Sequence, residues 1–222
     1  MHRILRVSVL IIVSVVLAGC ARSPQGAIIT IPREMSFRID FDGPINDNYY
    51  YFVAIDTSGG GEGPIPIFPG AVTGEGWVTG SANYYVQYHQ RQYSICRITN
   101  LQPFQYEPVG APIRSTLPEF GGTTLAFTID LDTIGAAGES VDINIITVDQ
   151  PFSDIRFLDG LGTYGAQFLP EVDITTDRTI TNSESLNPEG RGDILDQDRI
   201  IQPVTEETQP LDIINWSITT DV

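Results

Sequence analysis

Short runs in which apolar and polar residues alternate narrow what this chain can fold into more than any other feature. MSFRIDF sets Met35, Phe37, Ile39 and Phe41 on one face and Ser36, Arg38 and Asp40 on the other. TTLAFTIDL repeats the arrangement with Leu125, Phe127, Ile129 and Leu131, and INWSIT predicts Ile214, Trp216 and Ile218 on a common face. VDINIITV and YYYFVAID add two more runs, the second with Tyr49, Tyr51, Val53 and Ile55 expected on one side. Side chains recur every two residues on a strand and every 3.6 on a helix, so these runs are strands. Beyond the N-terminal segment no apolar stripe at helical spacing exceeds two turns, and Gly, Pro, Asn and Asp punctuate the runs. The expected fold is therefore all-β: a single antiparallel β-sandwich of about ten strands over residues 34–222, with a long polar loop at 182–210.

The N-terminus, MHRILRVSVLIIVSVVLAGC, has a different character. Arg3 and Arg6 precede an uncharged, largely apolar run from Val7 to Leu17, too short to span a bilayer and laid out like a cleaved secretory signal. It ends in Leu17-Ala18-Gly19-Cys20, which resembles the lipobox of bacterial lipoproteins. That resemblance implies a signal peptide of residues 1–19, removed before Cys20, and acyl chains such as palmitate on Cys20. Residues 20–33 would then be the lipidated cysteine and a tether. The implied location is extracytoplasmic and bound to membrane through the N-terminal lipid. The outer membrane is favoured where the host has one, because Ala21 and not aspartate follows the cysteine. One acyl chain holds a protein only marginally, so a full set is what would make the attachment stable.

Charge and cysteine count exclude several classes. The formal net charge is −16, with arginine as the sole basic residue type, and loss of residues 1–19 would remove two arginines and no acid. Such a chain has no electrostatic means of holding nucleic acid, and anionic lipid repels it. If Cys20 carries lipid, Cys96 is left alone, which predicts a buried structural thiol and no disulfide. His89 is the one histidine after His2, so a multi-histidine zinc site is excluded.

Two sets of residues are candidates for binding. RIDFDG, VAIDTSG, FTIDLDTIG, ITVDQP and RFLDGLG each close an apolar run with aspartate. Aspartate closes turns by bonding its own backbone two residues on, and it also supplies oxygen to calcium. Consecutive antiparallel strands end at opposite poles, so the turn role is favoured and only Asp40, Asp42 and Asp47 are retained as candidate ligands for a structural calcium. GDILDQDRI, with Asp193, Asp196 and Asp198, lacks EF-hand spacing and is flanked by Arg191 and Arg199. The second set is aromatic. In NYYVQYHQRQYSI, alternation separates Tyr84, Val86 and Tyr88 from Tyr85, Gln87 and His89, with Trp77 just upstream. Trp77, Tyr85, Gln87 and His89 are thus the candidate ligand-binding residues, a mix that suits carbohydrate or protein partners.

The order YYYFVAIDTSG, TTLAFTIDLDTIG, VDINIITVD with RFLDGLG, and closing INWSI resembles DOMON-like and family 9 carbohydrate-binding sandwiches. The resemblance implies an extracytoplasmic β-sandwich that binds sugar, haem or another partner, with structural calcium; no individual binding residue carries over. The resulting expectation is a non-enzymatic, lipid-anchored cell-envelope module that binds or scaffolds a glycan or an envelope protein. The alternatives are a carbohydrate-binding module proper and a carboxylate-dependent glycoside hydrolase, whose two carboxylates would face each other across a cleft.

Overall fold

In the computed structural model, residues 32–59, 62–67, 76–152, 155–161, 169–182 and 205–222 are described. Residues 1–19, Cys20, most of the 182–210 loop and the Asp193–Asp198 group lie outside them. Residues Pro32–Val222 form one compact unit.

The runs read as strands are strands. They are β1 (Glu34–Phe41), β2 (Tyr50–Asp56), β3 (Pro64–Pro66), β4 (Val78–Gly80), β5 (Tyr84–His89), β6 (Gln92–Leu101) and β7 (Phe104–Gly110). Then follow β8 (Arg114–Thr116), β9 (Thr124–Asp130), β10 (Ser140–Val148), β11 (Leu158–Gly160), β12 (Leu169–Asp173), β13 (Arg178–Thr181) and β14 (Ile213–Asp221). One sheet runs β13-β14-β1-β9-β8; the other runs β11-β10-β2-β5-β6-β7, with β12 also on β10. β3 and β4 form a separate hairpin. The pairings are antiparallel throughout.

The first sheet obeys simple alternation. Met35, Phe37, Ile39 and Phe41 of β1 and Leu125, Phe127 and Ile129 of β9 face inward, where they meet Tyr51, Val53, Ile55, Val86, Tyr88, Ile143 and Ile145. Phe37 and Phe127 stack with centroids 5.0 Å apart. The outward face is knit by polar pairs such as Ser36 Oγ with Thr128 Oγ1 at 2.8 Å. Two buried bonds tie the sheets together: Thr147 Oγ1 donates to the Leu211 carbonyl at 2.7 Å, and Asp159 Oδ2 accepts from the Ile213 amide at 2.8 Å.

Two expectations need correction. Ile214 is half exposed while Ile213 is buried, because the β1–β14 register shifts beside Phe41 and the extra residue turns Ile214 outward. The second sheet is also covered on both faces. Phe52, Ala54, Tyr85, Cys96, Ile98, Ile146 and Val148 point away from the first sheet into a second core closed by Trp77 and Val78. That is why β2 and β10 are buried almost continuously, where alternation alone would leave every second residue wet. Cys96 is buried, as a structural thiol should be. The β3–β4 hairpin that carries this cover needs glycine at its end. Gly80 has φ +75°, and a Cβ there would lie 2.2 Å from the Gly63 carbonyl oxygen.

Candidate functional site

A cleft of about 460 Å³ opens at the pole where β2 begins and β10 ends. Val148 pairs with Tyr50, so the turn before β2 and the turn after β10 stand side by side. The lining residues are Asn48, Tyr49 and Tyr50 from the first turn and Asp149, Gln150, Pro151, Phe152 and Arg156 from the second.

Local hydrogen bonds organise the described residues of both turns. Asn46 Oδ1 accepts the Asn48 amide at 3.0 Å and the Asn46 carbonyl accepts the Tyr49 amide at 2.9 Å, which throws Asn48 to the rim. On the other side Asp149 is the organising residue. Its Oδ1 accepts the backbone amides of Arg156 at 3.0 Å and Phe157 at 3.2 Å, and its Oδ2 accepts Arg156 Nε at 3.0 Å. The Asp149 side chain is only 1% exposed, whereas that of Arg156 is 56% exposed. Arg156 Nη2 continues to Glu207 Oε1 at 3.3 Å, and Tyr49 Oη donates to the Glu207 carbonyl at 3.3 Å. Burial, with Glu207 and Asp149 nearby, raises the Tyr49 phenol, so it stays a neutral donor.

The aromatic part is a layered wall. The Tyr50 ring stacks on His89 with centroids 3.8 Å apart and planes 8° apart. His89 Nδ1 lies 3.0 Å from the Tyr49 carbonyl, which locks the imidazole behind Tyr50. Phe152, half exposed, is parallel to the half-exposed Tyr106 within 4°, centroids 6.4 Å apart, and extends the wall toward β7.

The residues singled out from sequence fall in different places. His89 backs the cleft through Tyr50, and Gln87 is half buried in mid-strand opposite Phe52. Trp77 and Tyr85 are corrected: both are sealed in the second core and present no surface to a ligand. Trp77 stacks on Phe52 at 3.7 Å and meets Tyr85 edge-on at 5.3 Å. The alternation of β5 is as expected; the layer above it supplies the burial.

The structure does not unite Asp40, Asp42 and Asp47 as calcium ligands. Asp40 accepts from Arg38 Nη2, Thr124 Oγ1 and Asn215 Nδ2 on the outer face of the first sheet. Asp47 accepts from Tyr88 Oη at 2.6 Å and sits 3.6 Å from Arg91, while Asp42 is exposed. The oxygens of Asp40 and Asp47 are taken by donors belonging to different neighbours, and among the described residues no three His, Cys, Asp or Glu side chains gather around a metal position. The turn role is visible instead. Asp56 Oδ1 accepts the Ser58 amide and Asp130 Oδ1 the Asp132 amide, each two residues on.

Sequence reasoning missed Asn48, Gln150, Phe152 and Arg156, which belong to separate turns. The available signal was the pair of turn sequences NDNYY and VDQPF, each placing amide and aromatic side chains together.

The fold and cleft define an all-β sandwich with a second core and a polar, aromatic-walled pocket at one pole. No family model, curated protein or solved structure matches the chain.

Proposed function

We propose that this is a lipid-anchored, extracytoplasmic binding module that does no chemistry and takes a carbohydrate ligand in the Asn48–Arg156 cleft. The observation that carries the reading is the pairing of a stacked ring, Tyr50 on His89, with amide and guanidinium groups at Asn48, Gln150 and Arg156 along one cleft. Sugars offer an apolar C–H face for a ring and hydroxyls for planar polar groups. Asp149 supports binding over hydrolysis: it is shut beneath Arg156 and cannot reach a glycosidic carbon, while glycoside cleavage needs two accessible carboxyl groups.

The test is a glycan array followed by calorimetry on the protein from residue 21 onward. Tyr50→Ala is expected to weaken binding by roughly tenfold, the loss of one stacking contact. Gln150→Ala is expected to weaken it severalfold with the fold intact. Absence of any bound glycan, or affinities unchanged in both variants, rejects the reading. The anchor is tested separately: Cys20→Ser in the full chain is expected to abolish palmitate labelling and move the protein from the membrane to the soluble fraction.

A further inference from the structure

Asp56 at the end of β2 and Asp142 near the start of β10 stand directly opposite each other in the β2–β10 register. Both side chains point to the face of the second sheet that the β3–β4 hairpin covers, where Asn144 Nδ2 donates to the Pro64 carbonyl at 3.0 Å. Asp56 is 1% exposed and Asp142 5%. Asp56 Oδ1 accepts the Ser58 amide at 2.9 Å and Ser58 Oγ at 2.6 Å, but its enclosed Oδ2 has no partner among the described residues. Asp142 Oδ1 accepts the Glu171 amide at 2.8 Å, from a residue held at φ +51° beside an irregularity in the β10–β12 ladder.

Among the described residues no positive charge offsets this pair. Neither carboxylate forms an ion pair among them, and the charged groups acting on Asp142 are Asp56 and Glu171, both acidic. Asp173, also on β12, is taken up by Thr175 and Thr176. Asn83, beside the end of β2, spends its amide on Thr57. Opposed residues on antiparallel strands have Cβ atoms about 4.5–5.5 Å apart, a separation at which two buried carboxylates resist joint ionisation.

We infer that Asp142 keeps a proton in the folded protein in mild acid and shares it with the facing Asp56, a built-in acid-stabilised lock beneath the β3–β4 hairpin. The proton comes from solvent, resides on Asp142 and makes it a donor to the orphaned Asp56 Oδ2. Burial, followed by the neighbouring Asp56 and Glu171 charges, raises the Asp142 carboxyl above its ordinary range. A raised folded-state value means the bound proton stabilises the fold fully below the unfolded value of about 3.9, and that this contribution is lost as pH climbs through the raised value.

Asp142→Asn supplies a permanent N–H at the same place. In the protein from residue 21 onward, its Tm at pH 7 is expected to exceed that of the wild type by about 3–6 °C, with the gap closing toward pH 4. The wild type is compared with the variant at each pH because the chain's general acidity also favours low pH. Carboxyl carbon NMR of the wild type is expected to show a group at this pair titrating well above the other aspartates, a readout independent of the variant's folding. An Asp142 carboxyl that titrates together with the other aspartates overturns the inference. So does an Asp142→Asn variant no more stable than wild type at pH 7, or a calcium-induced rise in wild-type Tm that the variant lacks.

Discussion

Trp77→Ala is expected to lower the unfolding free energy by about 3–5 kcal/mol, a fall in Tm of roughly 10–15 °C, with the Tyr50 cleft left intact. The indole is fully buried, stacked on Phe52 and edge-on to Tyr85, so truncation opens a cavity in the core between the second sheet and its cover. Trp77→Phe separates packing from polarity. Trp77 Nε1 is buried without a partner among the described residues, and such a group costs about 1–3 kcal/mol. Phenylalanine keeps the stack and discards that donor, offsetting the lost volume, so Trp77→Phe is expected within about 1 kcal/mol of wild type. Thermal unfolding of the two variants decides the matter. Equal, large losses would mean the indole N–H is satisfied. A normal Tm for Trp77→Ala with ligand binding abolished would return Trp77 to the binding site.

The second large effect is at Asp149. Asp149→Ala leaves the amides of Arg156 and Phe157 without an acceptor and frees the Arg156 guanidinium. The expected loss is about 3 kcal/mol, because bonds to a charged acceptor are worth more than neutral ones and two part-buried amides are stranded together. Asp149→Asn retains Oδ1 for the two amides and removes only the charge opposite Arg156, so a loss of about 1 kcal/mol is expected there. Ligand affinity should fall in both, since Arg156 is no longer held at the rim. Chemical denaturation with calorimetric binding measures both quantities. Asp149→Ala as stable as wild type would show that the turn holds itself and that Asp149 does not organise the cleft.

The two predictions concern residues that sequence reasoning weighed differently. Trp77 is a candidate binding residue in the sequence because it lies just before a tyrosine-rich strand, but alternation says only that Tyr85 and Tyr88 face opposite ways, not which side is wet. In the sequence Asp149 is one more strand-ending aspartate, which is true of its position. Its partners come seven and eight residues later, a reach no local turn rule predicts. Likewise Asp56 and Asp142 are 86 residues apart, and only pairing register sets them opposite each other.

What the sequence determined by itself was local: strand identity, strand faces in β1, β9 and β5, the turn role of Asp56 and Asp130, and the buried thiol of Cys96. Period-two patterning and side chains that bond their own backbone are short-range effects, readable from neighbouring residues. Tertiary structure alone decided that the second sheet is buried on both faces, that Ile214 turns outward at a bulge, and that two distant turns make one cleft. Those outcomes depend on which layer lies over which face and which strands share a register, and such contacts join residues whose separation along the chain carries no periodic signal.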